Sequence, residues 1–88
     1  MPFRVREILS TPNPNAAKFV LDRAVTDQPV SILHPKDAGG HPLASRLFEV
    51  PGVCAVLLLG DFVTINKTPE TKWAGLKTKI RRVLQEEA

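Results

Sequence analysis

The sequence predicts an α+β two-layer sandwich: a mainly antiparallel sheet of four to five strands with two helices on one face, in the order ββ(β)αββα. Three observations carry that expectation. Alternating or continuous apolar runs of strand length occupy residues 3–9, 17–21, 30–33, 53–59 and 62–66. Residues 42–50 and 68–84 instead repeat apolar side chains at three- and four-residue intervals, the spacing of helices with one apolar face. Pro12, Pro14, Pro42, Pro51 and Pro69 each sit at the edge of such a segment, where a missing N–H and a fixed φ are tolerated. Two helices with one apolar face each can cover one side of a sheet.

Phe3 and Val5 alternate with Arg4 and Arg6, the pattern of a half-buried strand, and the phase breaks at Glu7 and Ile8, which predicts a bulge or a strand end. Residues 10–15 supply two prolines and two asparagines, a stiff polar loop. The returning strand puts Ala17, Phe19 and Leu21 on one face, and a weaker third strand follows at 30–33. Residues 34–40 are rich in breakers. Pro42 then suits the first turn of a short helix carrying Leu43, Ala44, Leu47, Phe48 and Val50, which Pro51 and Gly52 end. Residues 53–59 are apolar in both phases and read as an interior strand, covered on both sides or flanked by neighbours. Gly60-Asp61 is a hairpin signal, with residues 62–66 as its partner strand. Thr68, Pro69 and Glu70 look like a helix start, namely a hydroxyl cap, a proline at the first position and an acid near the dipole's positive end. Trp73, Leu76, Ile80, Val83 and Leu84 would form its apolar stripe.

Eighty-eight residues fit one small domain, 1–88, and 43% hydrophobic with 24% charged residues is globular composition. One cysteine excludes an internal disulfide and a zinc or iron–sulfur site built from several thiolates of these residues. The longest apolar run is seven residues, at 53–59, well below the roughly 20 of a spanning helix. No signal-peptide pattern follows Met1, so a reducing, cytoplasmic-type compartment is the expectation. The net charge of +3 is uneven: residues 1–66 hold six basic and six acidic side chains, residues 67–88 six basic and three acidic.

Cys54 lies one residue into the most apolar strand with no Lys, Arg or His within four residues, which favours a small buried hydrophobe over a nucleophile or ligand. His34 and His41, with Asp37 between them, match no metal-ligand spacing of predictive value, and His41 reads better as the cap of the first helix. No serine–histidine–aspartate set, paired carboxylates or phosphate loop assembles, so the chain is read as no enzyme, with no cofactor. Lys72, Lys79 and Arg82 fall near one face of the last helix, opposite the apolar stripe. Such a face can meet an anion, but a solvated surface is the commoner reading. With no tyrosine, one tryptophan and four phenylalanines, stacking platforms for nucleic acid are not suggested.

Taken in order, Thr11-Pro12-Asn13-Pro14-Asn15-Ala16 followed by Lys18-Phe19 resembles the opening signature of the N-terminal domain of Nfu/NifU-type iron–sulfur scaffold proteins. Pro42-Leu43-Ala44, Leu47 through Val53, Gly60-Asp61-Phe62-Val63-Thr64 and Trp73 are similar to that family's first helix, following turn, hairpin and second helix. Residues 22–40 match poorly, and His41 stands where a small capping residue such as serine is more usual. The resemblance implies an accessory domain, since the family's cluster ligands belong to a separate Cys-x-x-Cys domain and transfer to no residue here. It implies protein partners from the iron–sulfur assembly machinery, while the short apolar runs lead to no membrane being expected. The expected contact residues are Asn13, Asn15, Asp61, Lys72, Lys79 and Arg82, in a non-catalytic module for cluster assembly or delivery. Two other readings stand beside it: a weak nucleic-acid or anion-binding module using the basic helix, and a redox or cluster-bridging dimer through Cys54.

Overall fold

A computed structural model describes residues 3–86. Five strands, β1 (Val5–Ser10), β2 (Ala16–Leu21), β3 (Val30–Ile32), β4 (Val53–Leu59) and β5 (Phe62–Lys67), form one antiparallel sheet in the order β1-β2-β5-β4-β3. Helices α1 (Pro42–Phe48) and α2 (Leu76–Glu86) pack on one face, and a 3-10 turn, Pro35–Ala38, precedes α1. The expected class and element order are those of the protein.

Strand register follows from alternation. Phe19 pairs with Val63 and Ala17 with Ile65, while Val56 and Leu58 pair with Ile65 and Val63, so the inward set of three strands is one apolar layer. Leu47, Ile80 and Leu84 descend onto it from the helices, and all are fully buried together with Phe19, Leu21, Leu58 and Ile65. Each such side chain contributes about 1.5–3 kcal/mol of transfer free energy. The irregularity expected near Glu7 is a register shift between Val5 and Glu7. It keeps Val5 facing the core while Ile8 meets Phe19. His41 caps α1, its Nδ1 accepting the Ala44 N–H at 3.3 Å, and Pro42 takes the first helical position, as its fixed φ favours.

One expectation is corrected and one is narrowed. First, α2 does not start at Thr68. The Thr68 hydroxyl is bonded to that of Thr71 at 2.6 Å, and the Thr71 N–H donates to the Thr68 carbonyl at 3.1 Å, so the chain makes a single turn. Gly75, at φ +80°, then redirects the backbone, and the Leu76 N–H donates to the Trp73 carbonyl as the helix begins. Lys72 and Trp73 therefore precede the helix, whose buried stripe is Leu76, Ile80 and Leu84. Second, of the two settings expected for β4 the structure has the flanked one: β4 is an interior strand between β5 and β3, without cover on both faces. Its Leu57 and Leu59 face outward beside Thr64 and Phe62, and Leu59 is exposed. Lys18 lays its ammonium 4.0 Å from the centre of the Phe62 ring on that outer face.

Candidate interaction site

The β1–β2 loop is locked from within and from outside. Asn13 Oδ1 accepts the Asn15 N–H at 2.9 Å, and the Asn13 carbonyl accepts the Ala16 N–H at 3.0 Å, which closes the turn. The Thr11 hydroxyl accepts the Asn13 N–H at 3.2 Å and lies 2.9 Å from the Asn13 carbonyl. From the other end of the sequence, Trp73 Nε1 donates to the Pro14 carbonyl at 3.0 Å. Lys67 donates twice to Asn15, from its backbone N–H to the carbonyl at 2.8 Å and from Nζ to Oδ1 at 2.9 Å.

Lys67 is the unexpected member of this set. It is 7% exposed, the buried charged residue of the described chain, and its ammonium also reaches the Thr68 carbonyl at 3.3 Å and lies 5.7 Å from the centre of the Trp73 ring. Its partners are neutral oxygens and a π face, the arrangement that satisfies an ammonium without a counter-ion. Lys77 approaches the same ring at 5.6 Å. Composition places Lys67 only among the six basic side chains of residues 67–88. The missed signal is phase: Val63, Ile65 and Lys67 alternate on the inward side of β5.

The expected contact residues do not converge on one place. Asn13 and Asn15 lie at the end of the sheet where Ala16 pairs with Asn66. Asp61 lies at the opposite end, beyond the Phe62–Val20 pair, about 20 Å away along a six-residue strand. Asn15 has its side-chain oxygen engaged by Lys67, so its clear role is to brace the loop. Lys72, in the turn before α2, and Lys79, on α2, share a hollow with Gly52 and Thr71. Lys79 and Arg82 share a second hollow with Arg46, Glu49 and Val50. Arg46, on α1, joins these cations only through packing of the two helices, and no local sequence pattern marks it.

Cys54 is half-buried, and its thiol donates to the Asn66 carbonyl at 3.3 Å. His34, Asp37 and His41 form no ligand cluster, and among the described residues no three His, Cys, Asp or Glu side chains could hold a metal ion. No helix among them is long and apolar enough to cross a membrane. At the far end of the sheet, the Asp22 carboxylate accepts the Arg4 N–H at 3.0 Å. That bond is the largest effect and holds its pKa below the usual aspartate value; desolvation opposes it, and the neighbouring Arg23 charge adds a smaller lowering.

Fold and site together describe a small α+β domain that presents a braced loop and a basic helix layer. Residues 5–88 match the family described as scaffold protein Nfu/NifU N terminal, and the chain belongs to that family. It is 36% identical over 78 residues to the mitochondrial NFU1 iron-sulfur cluster scaffold homolog of Drosophila virilis, covering 86% of this chain and 26% of the relative. Against the human NFU1 iron-sulfur cluster scaffold homolog, also named mitochondrial, identity is 38% over 72 residues, covering 80% of this chain and 28% of the relative. The chain thus spans about a quarter of the length of these relatives. Among solved structures, the NifU-like protein of Saccharomyces cerevisiae superposes with a TM-score of 0.81 at 28% identity, over 98% of this chain and 78% of that one. Protein SAV1430 of Staphylococcus aureus shares the fold, with a TM-score of 0.77 at 21% identity over 91% of this chain and 96% of that one.

Proposed function

We propose that this chain is a non-catalytic interaction module of iron–sulfur cluster assembly or delivery, which meets partner proteins and holds no cluster ligand itself. Family membership and the scaffold names of its relatives supply the link to cluster assembly. The observation that carries the interaction reading is the braced loop. Pro12, Asn13 and Pro14 are exposed, yet the backbone beneath them is tied to Lys67 and Trp73. A loop ordered in advance loses little conformational entropy on binding, so its few exposed groups suffice for recognition. A reducing compartment suits the single half-buried thiol.

The test is affinity capture from cells, with the tagged chain as bait and an Asn13→Ala bait beside it. Cluster-assembly proteins or cluster-receiving enzymes are expected with the wild-type bait and depleted with the variant. Recovery of none of them by the wild-type chain refutes the proposal.

A further inference from the structure

We propose that the groove between the C-terminal turn of α1 and the first turns of α2 docks an acidic, partly apolar peptide segment of a partner protein. The inference rests on the interaction-module reading and deepens it by naming the partner's chemistry. The groove is two adjoining hollows of about 360 and 320 Å³ that share Pro51 and Lys79. Lys72, Lys79, Arg82 and Arg46 line them, and Glu49 is the acid among the lining residues. Glu49 stands 3.8 Å from Arg46, with the two side chains 65% and 47% exposed, so this pair is wet and individually weak.

Between the cations part of the surface is apolar. Val50 and Leu76 are buried and Val83 is half-buried, and with Pro51 they form a floor for one or two aliphatic side chains. No aromatic residue lines either hollow, so nothing there stacks a base, and a phosphate backbone would meet the rim cations but leave the apolar floor unused. Cations at the rim and an apolar centre match a chain segment that carries glutamates or aspartates around a leucine-like anchor. The rim charges steer and orient it, and the anchor fixes its position. The position of the charge agrees: the whole +3 of the protein is contributed by residues 67–88, which include three of the four cations.

The test is fluorescence anisotropy with a labelled glutamate-rich peptide carrying a central leucine, the same peptide with glutamine for glutamate, and an oligothymidylate of matched charge. The wild-type chain is expected to bind the acidic peptide, to lose affinity as salt rises, and to bind the glutamine peptide and the oligonucleotide more weakly. Lys79→Glu and Arg82→Glu are each expected to weaken the acidic peptide by about tenfold, while Arg6→Glu on β1, an equal change in net charge, stays within about twofold. Lys79→Gln, with circular dichroism as the folding check, is expected to lose less than Lys79→Glu. Equal binding of the glutamine peptide, preference for the oligonucleotide, or equal loss in Arg6→Glu overturns the proposal. Capture from cells separates the two levels of inference. A Lys79→Glu bait that recovers cluster-assembly proteins at the wild-type level overturns the groove and leaves the module standing, whereas a wild-type bait that recovers none overturns the module.

Discussion

Lys67 gives the sharpest stability test, because a buried ammonium with neutral partners makes the two ends of one hydrogen bond unequal. Asn15→Ala removes the side-chain oxygen 2.9 Å from Nζ and leaves the ammonium with the Thr68 carbonyl at 3.3 Å and the Trp73 ring. A hydrogen bond to a charged group is worth about 1.5–3 kcal/mol, and an abandoned buried charge loses the upper part of that range. We expect about 2–3 kcal/mol of destabilisation. Lys67→Met keeps the length of the side chain and removes the charge together with its desolvation, leaving Asn15, which is half-buried, free to take water. That change is expected to lose only about 1–2 kcal/mol. In the double variant the losses should fall short of their sum by about 1–2 kcal/mol, the signature of a direct interaction. Urea unfolding followed by Trp73 fluorescence measures all three, read from the midpoint at unchanged m. Additive losses, or Lys67→Met costing more than Asn15→Ala, would refute the account of Lys67 as the brace of the loop.

Other expected outcomes concern separate parts of the structure. Gly52 has φ +99°, and a β-carbon there would stand 2.6 Å from Thr71 Cγ2, whose hydroxyl is held by Thr68, so Gly52→Ala is expected to lose about 2 kcal/mol or more in thermal unfolding. Ile80→Ala empties a fully buried site under α2 and should lose about 2–5 kcal/mol, read by the same assay. His41→Ala removes the cap of α1 and should lose about 1 kcal/mol, which His41→Ser restores in large part. The Asp22 carboxyl, with its pKa held down by the Arg4 N–H, stabilises the folded state above the ordinary aspartate pKa and loses that contribution as pH falls through its lowered value. Acid unfolding of Asp22→Asn should accordingly show a shallower fall in stability over that range than the wild type. Anaerobic incubation with iron and sulfide is expected to leave the chain colourless, and a visible cluster spectrum abolished by Cys54→Ser would show a ligand role for this thiol.

Strand positions were legible because alternation is local: Ala17, Phe19 and Leu21 declare one face, and the partner strands repeat the pattern. The same phase carries Lys67 inward after Val63 and Ile65, so the brace was readable, had periodicity been allowed to outweigh the habit of placing lysine at the surface. The start of α2 was misread for the opposite reason. Thr68, Pro69 and Glu70 are a valid local helix signal, and the spacing from Trp73 to Leu76 fits a helix equally well. A bond from the indole to the Pro14 carbonyl, 59 residues away, instead holds Trp73 in a turn, and tertiary structure overrides the local preference. Residues 53–59 were read as apolar on both phases without revealing that the outer phase, Leu57 and Leu59, stays open. Arg46 joins Lys79 and Arg82 only once α1 and α2 pack, which no pattern within either helix records.

The central claim, a module that meets cluster-assembly proteins through its braced loop and the adjoining helix layer, is tested most directly by titrating the nitrogen-15-labelled chain with a cluster-assembly protein recovered in the capture experiment. Backbone shift changes are expected to gather at residues 12–15 and 72–82, with the Gly60-Asp61 turn unmoved. Changes confined to that turn or to the open face around Leu57 and Phe62, or no changes at saturating partner, would contradict it.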